Sequence, residues 1–215
     1  MSCGLPVPGP TDDFTVRPVT PKDVGVWYHV YNTRSRPGAT ALTFAQGWGS
    51  TRFAPLAQDD GVPVHTYYIA STPEAAYMES VLHDVVLSPP GHFEVDKLRF
   101  YHLVTLKLPP VVRAVSFHSH DLPRLQSLSR TQLIDSLPTC YLETRAWAQA
   151  AYLQRPEAQA IGYGSRRNGA GRCMILFEQR MPGPSFEVLE EETMVIGARR
   201  AEVLSLVRSL KLHEV

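Results

Sequence analysis

A single α+β domain built on a mostly antiparallel sheet is the fold class this sequence predicts, on three observations. Runs of β-favouring residues outnumber helical stretches, and prolines interrupt the chain at hairpin-like intervals. The 215 residues, 44% of them hydrophobic, suffice for one sizeable core and are short for two ordinary domains.

Taken in order, residues 1–21 hold Pro6, Pro8, Pro10, Pro18 and Pro21 and predict an extended arm, neither helix nor strand, laid over a domain spanning 22–215. Val24 to Tyr31 reads as the first strand, with Trp27 as core filler. Arg34 to Gly47 is loop, anchored by Phe44 and Trp48. Gly49, Ser50 and Thr51 lead into a small-residue turn that carries Arg52 and ends at Pro55, and His65 to Ala70 alternates as a strand. Ser71 and Glu74 fit a capping box, with Pro73 tolerated in the first turn. The helix begun there puts Ala75, Ala76, Leu82 and His83 on the face of Glu79.

After the break at Ser88 to His92, alternation from Leu98 to Leu108 predicts a strand, and Pro109 and Pro110 separate it from another over Val111 to Phe117. Asp121 to Ser129 is read as a short helix, and Ser129 to Pro138 as a connection with one helical turn. Thr139 is the expected cap of a longer helix with Leu142, Ala146, Ala150 and Leu153 inward, Glu143 and Arg145 on the solvated face, and Pro156 at its end. Ala158 to Tyr163 and Arg172 to Phe177 are strands around a glycine-bearing turn, Gly164 to Gly169. Phe186 to Ile196 is a further strand with Glu190, Glu191 and Glu192 exposed. Ala198 to Leu212 is an amphipathic helix whose stripe of Val203, Leu206, Val207 and Leu210 is core or a partner interface, which leaves a homodimer open. His83, His102, His118 and His120 are read as structural histidines.

Equal numbers of basic and acidic side chains, 21 of each, argue against a general nucleic-acid or anionic-membrane surface, so phosphate chemistry must come from a local cluster. No apolar run approaches the roughly 18 residues of a membrane span, and Met1 to Pro10 lacks the charged and apolar regions of a secretory signal. A soluble cytoplasmic protein is expected. Cys3, Cys140 and Cys173 are too few for a disulfide framework and lack zinc spacing, which predicts three reduced thiols and no metal. The chain has no internal repeat or low-complexity segment.

An ionised carboxylate such as Glu79 on an inward helical face is unfavourable unless paired, by about 3–5 kcal/mol when uncompensated. The residue-level alternatives are an exposed position or a structural salt bridge. Gly-x-x-Arg-Phe-x-Pro, then Tyr-Ile-Ala, then Ser-Thr-Pro-Glu-Ala-Ala-x-x-Glu-Ser-x-x-His-Asp resembles the RES-domain family, toxin halves of RES–Xre toxin–antitoxin modules. The later run Ala160 to Arg167, a serine among arginines after a short strand, fits the same family, and the matched segments extend from about Trp27 to Phe177.

The resemblance implies an ADP-ribosyltransferase-like split sheet with NAD in its cleft, bound and attacked through Arg52, Tyr68 and Glu79, with Ser165 and Arg166 as further ligands of phosphate or the nicotinamide amide. One position departs from the pattern. Where the family has a second arginine in the opening strand, this chain has His29, which can hydrogen-bond phosphate or ribose but is charged only below a pKa near 6.5. Arg34 and Arg36 follow it in the loop. The activity implied is phosphorolysis of the nicotinamide–ribose bond with inorganic phosphate as co-substrate and no metal. Transfer of ADP-ribose to a protein, or a catalytically degenerate NAD-binding module, are the alternatives. An Xre-type antitoxin that covers the cleft is the implied partner.

Overall fold

The computed structural model describes residues 3–88 and 91–215. Met1, Ser2, Pro89 and Pro90, the last two within the expected break after Ser88, lie outside the described residues. The strands are β1 (Val16–Val19), β2 (Trp27–Asn32), β3 (Ala45–Gln46), β4 (Leu56–Ala57), β5 (Pro63–Ala70), β6 (His92–Phe93), β7 (Tyr101–Lys107), β8 (Val112–Phe117), β9 (Ala160–Gly164), β10 (Arg172–Phe177), β11 (Glu187–Thr193) and β12 (His213–Glu214). The helices are α1 (Pro73–Met78), α2 (Arg130–Leu133), α3 (Tyr141–Gln154) and α4 (Gly197–Ser209).

The main sheet runs β1-β8-β9-β10-β5-β2-β7-β11, with β3 and β4 beside β5. Among the described residues only β8 and β9 pair in parallel within it; a parallel β6–β12 pair lies apart. This is the expected mixed fold with a mostly antiparallel sheet. The ladder between β2 and β5 narrows to one register pair, Tyr28 with Ala70, while β2 pairs with β7 over six residues. The sheet therefore splits between β2 and β5.

Side-chain alternation divides the core across the two faces of the sheet. Cys173, Ile175 and Phe177 of β10 join Phe14, Phe53, Phe117, Trp147 and Tyr163 under α1, α3 and α4. Met174 and Leu176 point the other way, to a smaller cluster with Trp27, Phe44, Tyr67 and Phe186.

Several local expectations are corrected. The arm is not strandless, because β1 adds to β8; its Pro18 is tolerated because β1 is an edge strand, where a missing N–H breaks no inner ladder. Helix α1 is capped by Thr72 instead of Ser71: Thr72 accepts from the Ala75 N–H, while Ser71 Oγ is taken by the Arg172 N–H at 3.0 Å. It ends at Met78, so Leu82 and His83 follow in turns and Glu79 is its C-cap. A 3-10 turn at Val95–Phe100 precedes β7, and the Asp121 helix shrinks to one at Leu122–Arg124, since Gln126 and Ser127 adopt positive φ.

Helix α3 begins after Cys140, not Thr139, and buries Tyr141, Thr144, Trp147, Ala148, Ala151 and Tyr152; Leu142 is 73% exposed. The aromatic stripe outweighs the leucine stripe because Trp147 and Tyr152 remove more apolar surface from water. Arg145 donates to Ser50 Oγ at 3.0 Å on an exposed face, whereas Glu143 Oε2 is buried without a partner among the described residues, contrary to the solvated position expected for it. Cys3 and Cys140, 137 residues apart, form a disulfide, leaving Cys173 as a buried free thiol. The expectation of three reduced thiols fails because the fold brings the start of the arm against the start of α3.

Candidate active site

Where β2 and β5 part, a cavity of about 330 Å³ opens, lined among others by His29, Arg52, Tyr68, Glu79, His83 and Tyr163. This volume falls within the range of small-molecule sites, roughly 300–1,000 Å³. Four of the residues singled out in the sequence, from β2, the Arg52 turn, β5 and the end of α1, thus share one space.

Arg52 is the least satisfied of them. It is only 5% exposed, and its Nε and Nη2 have no hydrogen-bond partner. Its guanidinium carbon lies 5.6 Å from the Tyr141 ring centroid and 5.9 Å from that of Phe53. The turn itself is pinned by α3, where the Thr144 hydroxyl donates to the Arg52 carbonyl at 2.5 Å. A guanidinium held in place with unmet donors is a preset anion site.

Glu79 is held from behind. Its Oε1 accepts from Ser165 Oγ at 2.6 Å and from the Arg166 N–H at 2.8 Å, while its Oε2 has no protein partner among the described residues. Ser165 is fully buried, and its hydroxyl oxygen also accepts from the N–H groups of Arg167 at 3.2 Å and Asn168 at 2.9 Å. The turn between β9 and β10 is therefore a nest of donors closed around Ser165 and one carboxylate oxygen. Ser165 and Arg166 stand behind Glu79 and do not line the cavity. Arg167 Nη1 anchors the chain after α1 by donating to the carbonyls of Leu82 and Val85 at 2.7 and 2.8 Å.

Tyr68 shares a 2.5 Å hydrogen bond with Thr51 Oγ1, and burial pushes its phenol above the usual range. It is a neutral wall of the cavity. His29 spans the split in the sheet: Nδ1 lies 2.6 Å from the Tyr68 carbonyl, and its ring stacks on Tyr67 at 3.9 Å. Burial holds its pKa down to about 4 against the pull of that carbonyl. At neutral pH it is an uncharged imidazole that donates through Nδ1. Of the loop cations after it, Arg36 stacks on Trp48 at 4.1 Å and Arg34 on Phe100 at 5.4 Å, and neither lines the cavity.

Sequence reasoning did not assign Thr51, Tyr163 or Cys173 to the cavity lining, nor Tyr141 to the wall behind Arg52. His83, read as structural, also lines the cavity, with Nδ1 2.7 Å from Asp84 Oδ1 and Nε2 3.4 Å from the Tyr141 hydroxyl. Its position four residues after Glu79 was the available signal. Tyr141 and Cys173 come from distant segments, and nothing local marks them. His102 stacks on Tyr31 at 4.8 Å, outside the cavity. Among the described residues no group of acids, histidines and cysteines could hold a metal, and no helix is long and apolar enough to cross a membrane.

A comparison with curated proteins finds no match. Among solved structures, the fold is similar to a chain in the crystal structure of the M. tuberculosis MbcT–MbcA toxin–antitoxin complex. The two superpose with a TM-score of 0.57 at 15% identity, covering 86% of this chain and 88% of that one. The RES domain family model matches residues 26–195, from the opening strand across the cavity to the end of β11. With that span matched, the chain belongs to the RES domain family.

Proposed function

We propose that this chain is the toxin half of a toxin–antitoxin pair and degrades NAD by phosphorolysis, giving nicotinamide and ADP-ribose phosphorylated at the anomeric carbon. The observation that carries this reading is the buried guanidinium of Arg52, with two unpartnered nitrogens, beside a carboxylate that keeps one oxygen free in the same cavity. A buried cation without a partner is costly, by about 3–5 kcal/mol, and an anionic substrate relieves that cost.

Breaking the nicotinamide–ribose bond sends its electron pair to the pyridine nitrogen, which becomes neutral and needs no proton to leave. Positive charge builds on the ribose carbon, as in glycoside hydrolysis. Glu79 Oε2 faces that charge and the ribose hydroxyls, with Oε1 fixed by Ser165 and Arg166, so stabilisation is preorganised. Arg52 grips the pyrophosphate or the incoming phosphate in its fork of donors. A phosphate oxygen then bonds the anomeric carbon, and any proton stays on the phosphate. Tyr68 walls the nicotinamide ribose. His29, neutral and with its N–H given to the Tyr68 carbonyl, keeps only Nε2 as an acceptor, suited to a ribose hydroxyl, where a charged side chain would hold phosphate.

The similar solved chain comes from a toxin–antitoxin complex, which supports an antitoxin partner here. An Xre-type protein covering the cavity mouth would bar NAD. A second reading, an NAD-binding module without turnover, is favoured by the neutrality of His29. The test is nicotinamide release from NAD with and without inorganic phosphate. Phosphate-dependent release with an ADP-ribose phosphate product is expected. Release without phosphate, transfer of label to protein, or binding without release would each overturn phosphorolysis, the last in favour of the second reading.

A further inference from the structure

A second cavity, of about 480 Å³, lies on the opposite face of β8, β9 and β10. Opposite faces follow from alternation: Tyr163 lines the first cavity, whereas Ala114, Gly162 and Met174 line the second. The acid in its lining is already engaged: Asp23 Oδ2 accepts from the Thr20 N–H and hydroxyl at 2.9 and 2.8 Å. Behind the lining, Asp121 accepts from Arg17 Nε and Nη2 at 2.8 and 2.6 Å and lies 3.0 Å from His120 Nε2.

Its cations are less fully used. Arg172 is exposed on the rim with no ion pair among the described residues. Arg130 Nη2 donates to the Ser165 carbonyl at 2.6 Å and lies 3.3 Å from Asp135 Oδ1. His118 is half-buried with no hydrogen bond to either ring nitrogen among the described residues, and its pKa is held at about 4 by burial first, then by Arg172, His120 and Arg130. The floor is glycine. A Cβ on Gly164 would sit 2.6 Å from Arg130 Nη1, so the bare backbone leaves room for the guanidinium where it lies.

We propose that this second cavity is a phosphate-binding site in which Arg172, Arg130 and His118 take a phosphate group, free or carried on a small sugar. An anion there would complete the donors of two guanidinium groups and one imidazole. The site is distinct from any phosphate held at Arg52, because the sheet lies between them. It does not depend on the NAD reading.

The test follows histidine ring resonances of the full-length oxidised chain by NMR as inorganic phosphate, or separately ribose 5-phosphate, is added against chloride at matched ionic strength. Saturable shifts of His118 and His120 are expected, in the wild type and in Arg52→Ala alike. Arg172→Ala should weaken the apparent affinity about tenfold, the worth of one charge-assisted hydrogen bond. Gly169→Asp adds a carboxylate to the cavity wall at a position where a Cβ meets nothing within 4 Å, and should abolish the response. Tighter binding of the sugar phosphate identifies a phosphomonoester site, and equal binding an inorganic-phosphate site. Absence of a saturable, phosphate-specific shift overturns the proposal. So does an affinity unchanged in Arg172→Ala or a response that Arg52→Ala removes.

Discussion

In the proposed reaction Glu79 divides its two oxygens between structure and chemistry, and that division makes a sharp variant available. Glu79→Gln keeps the volume and an acceptor for Ser165 and Arg166 but removes the charge facing the ribose. Nicotinamide release should fall at least about a hundredfold, with circular dichroism and thermal midpoint close to wild type. Undiminished release in that variant would remove Glu79 from the mechanism. His29 makes a prediction about stability. Its pKa is about 4 in the fold and near 6.5 in an unfolded chain, so across that interval the proton is taken up on unfolding. The stability it confers is complete above about pH 6.5 and is lost as the pH falls towards 4. Urea midpoints should therefore drop between pH 7 and pH 5, and His29→Gln, which keeps a donor for the Tyr68 carbonyl, should shrink the drop. His118, held down in the same direction, leaves a residual fall in that variant. An equal fall in both proteins would contradict the assignment.

At the scale of elements, the site depends on how closely α1 lies against the start of β10. A Cβ added to Gly171 would come within 2.6 Å of Ala75 Cβ, on the helix that ends at Glu79. Only a bare backbone lets α1 settle against the β9–β10 turn so that Ser165 reaches the carboxylate. Gly171→Ala should destabilise the protein by about 1–3 kcal/mol through overpacking, read as a lower urea midpoint at unchanged slope. A midpoint equal to wild type would mean that the helix moves aside freely. The split between β2 and β5 belongs to the same scale: a full ladder there would close the sheet, and one register pair leaves room for a ligand.

Across the whole molecule, the Cys3–Cys140 disulfide ties the first described residue to the helix whose opening turn packs Tyr141 beside Arg52. Cys140→Ser should lower stability by about 2–4 kcal/mol by freeing a long loop in the unfolded chain. Thiol titration of the unreduced, denatured wild type should count Cys173 alone; a count of three would show the bond absent. The sequence showed the order of most elements, because proline breaks, alternation and capping residues act locally. It also offered Arg52, Tyr68 and Glu79 as candidates, through their fit to the order and spacing of the RES-domain pattern. It misjudged the edges of elements and the buried stripe of α3, where the winning side chains were those that met a partner across the core. What residue order alone determined about this protein was its class of fold, its family and the charged groups available for chemistry. Tertiary structure decided that Ser165 holds Glu79, that His29 is neutral, that two cysteines bond and that a second cationic cavity exists. Each of those properties depends on burial and on contacts between segments far apart in sequence, which no local pattern encodes.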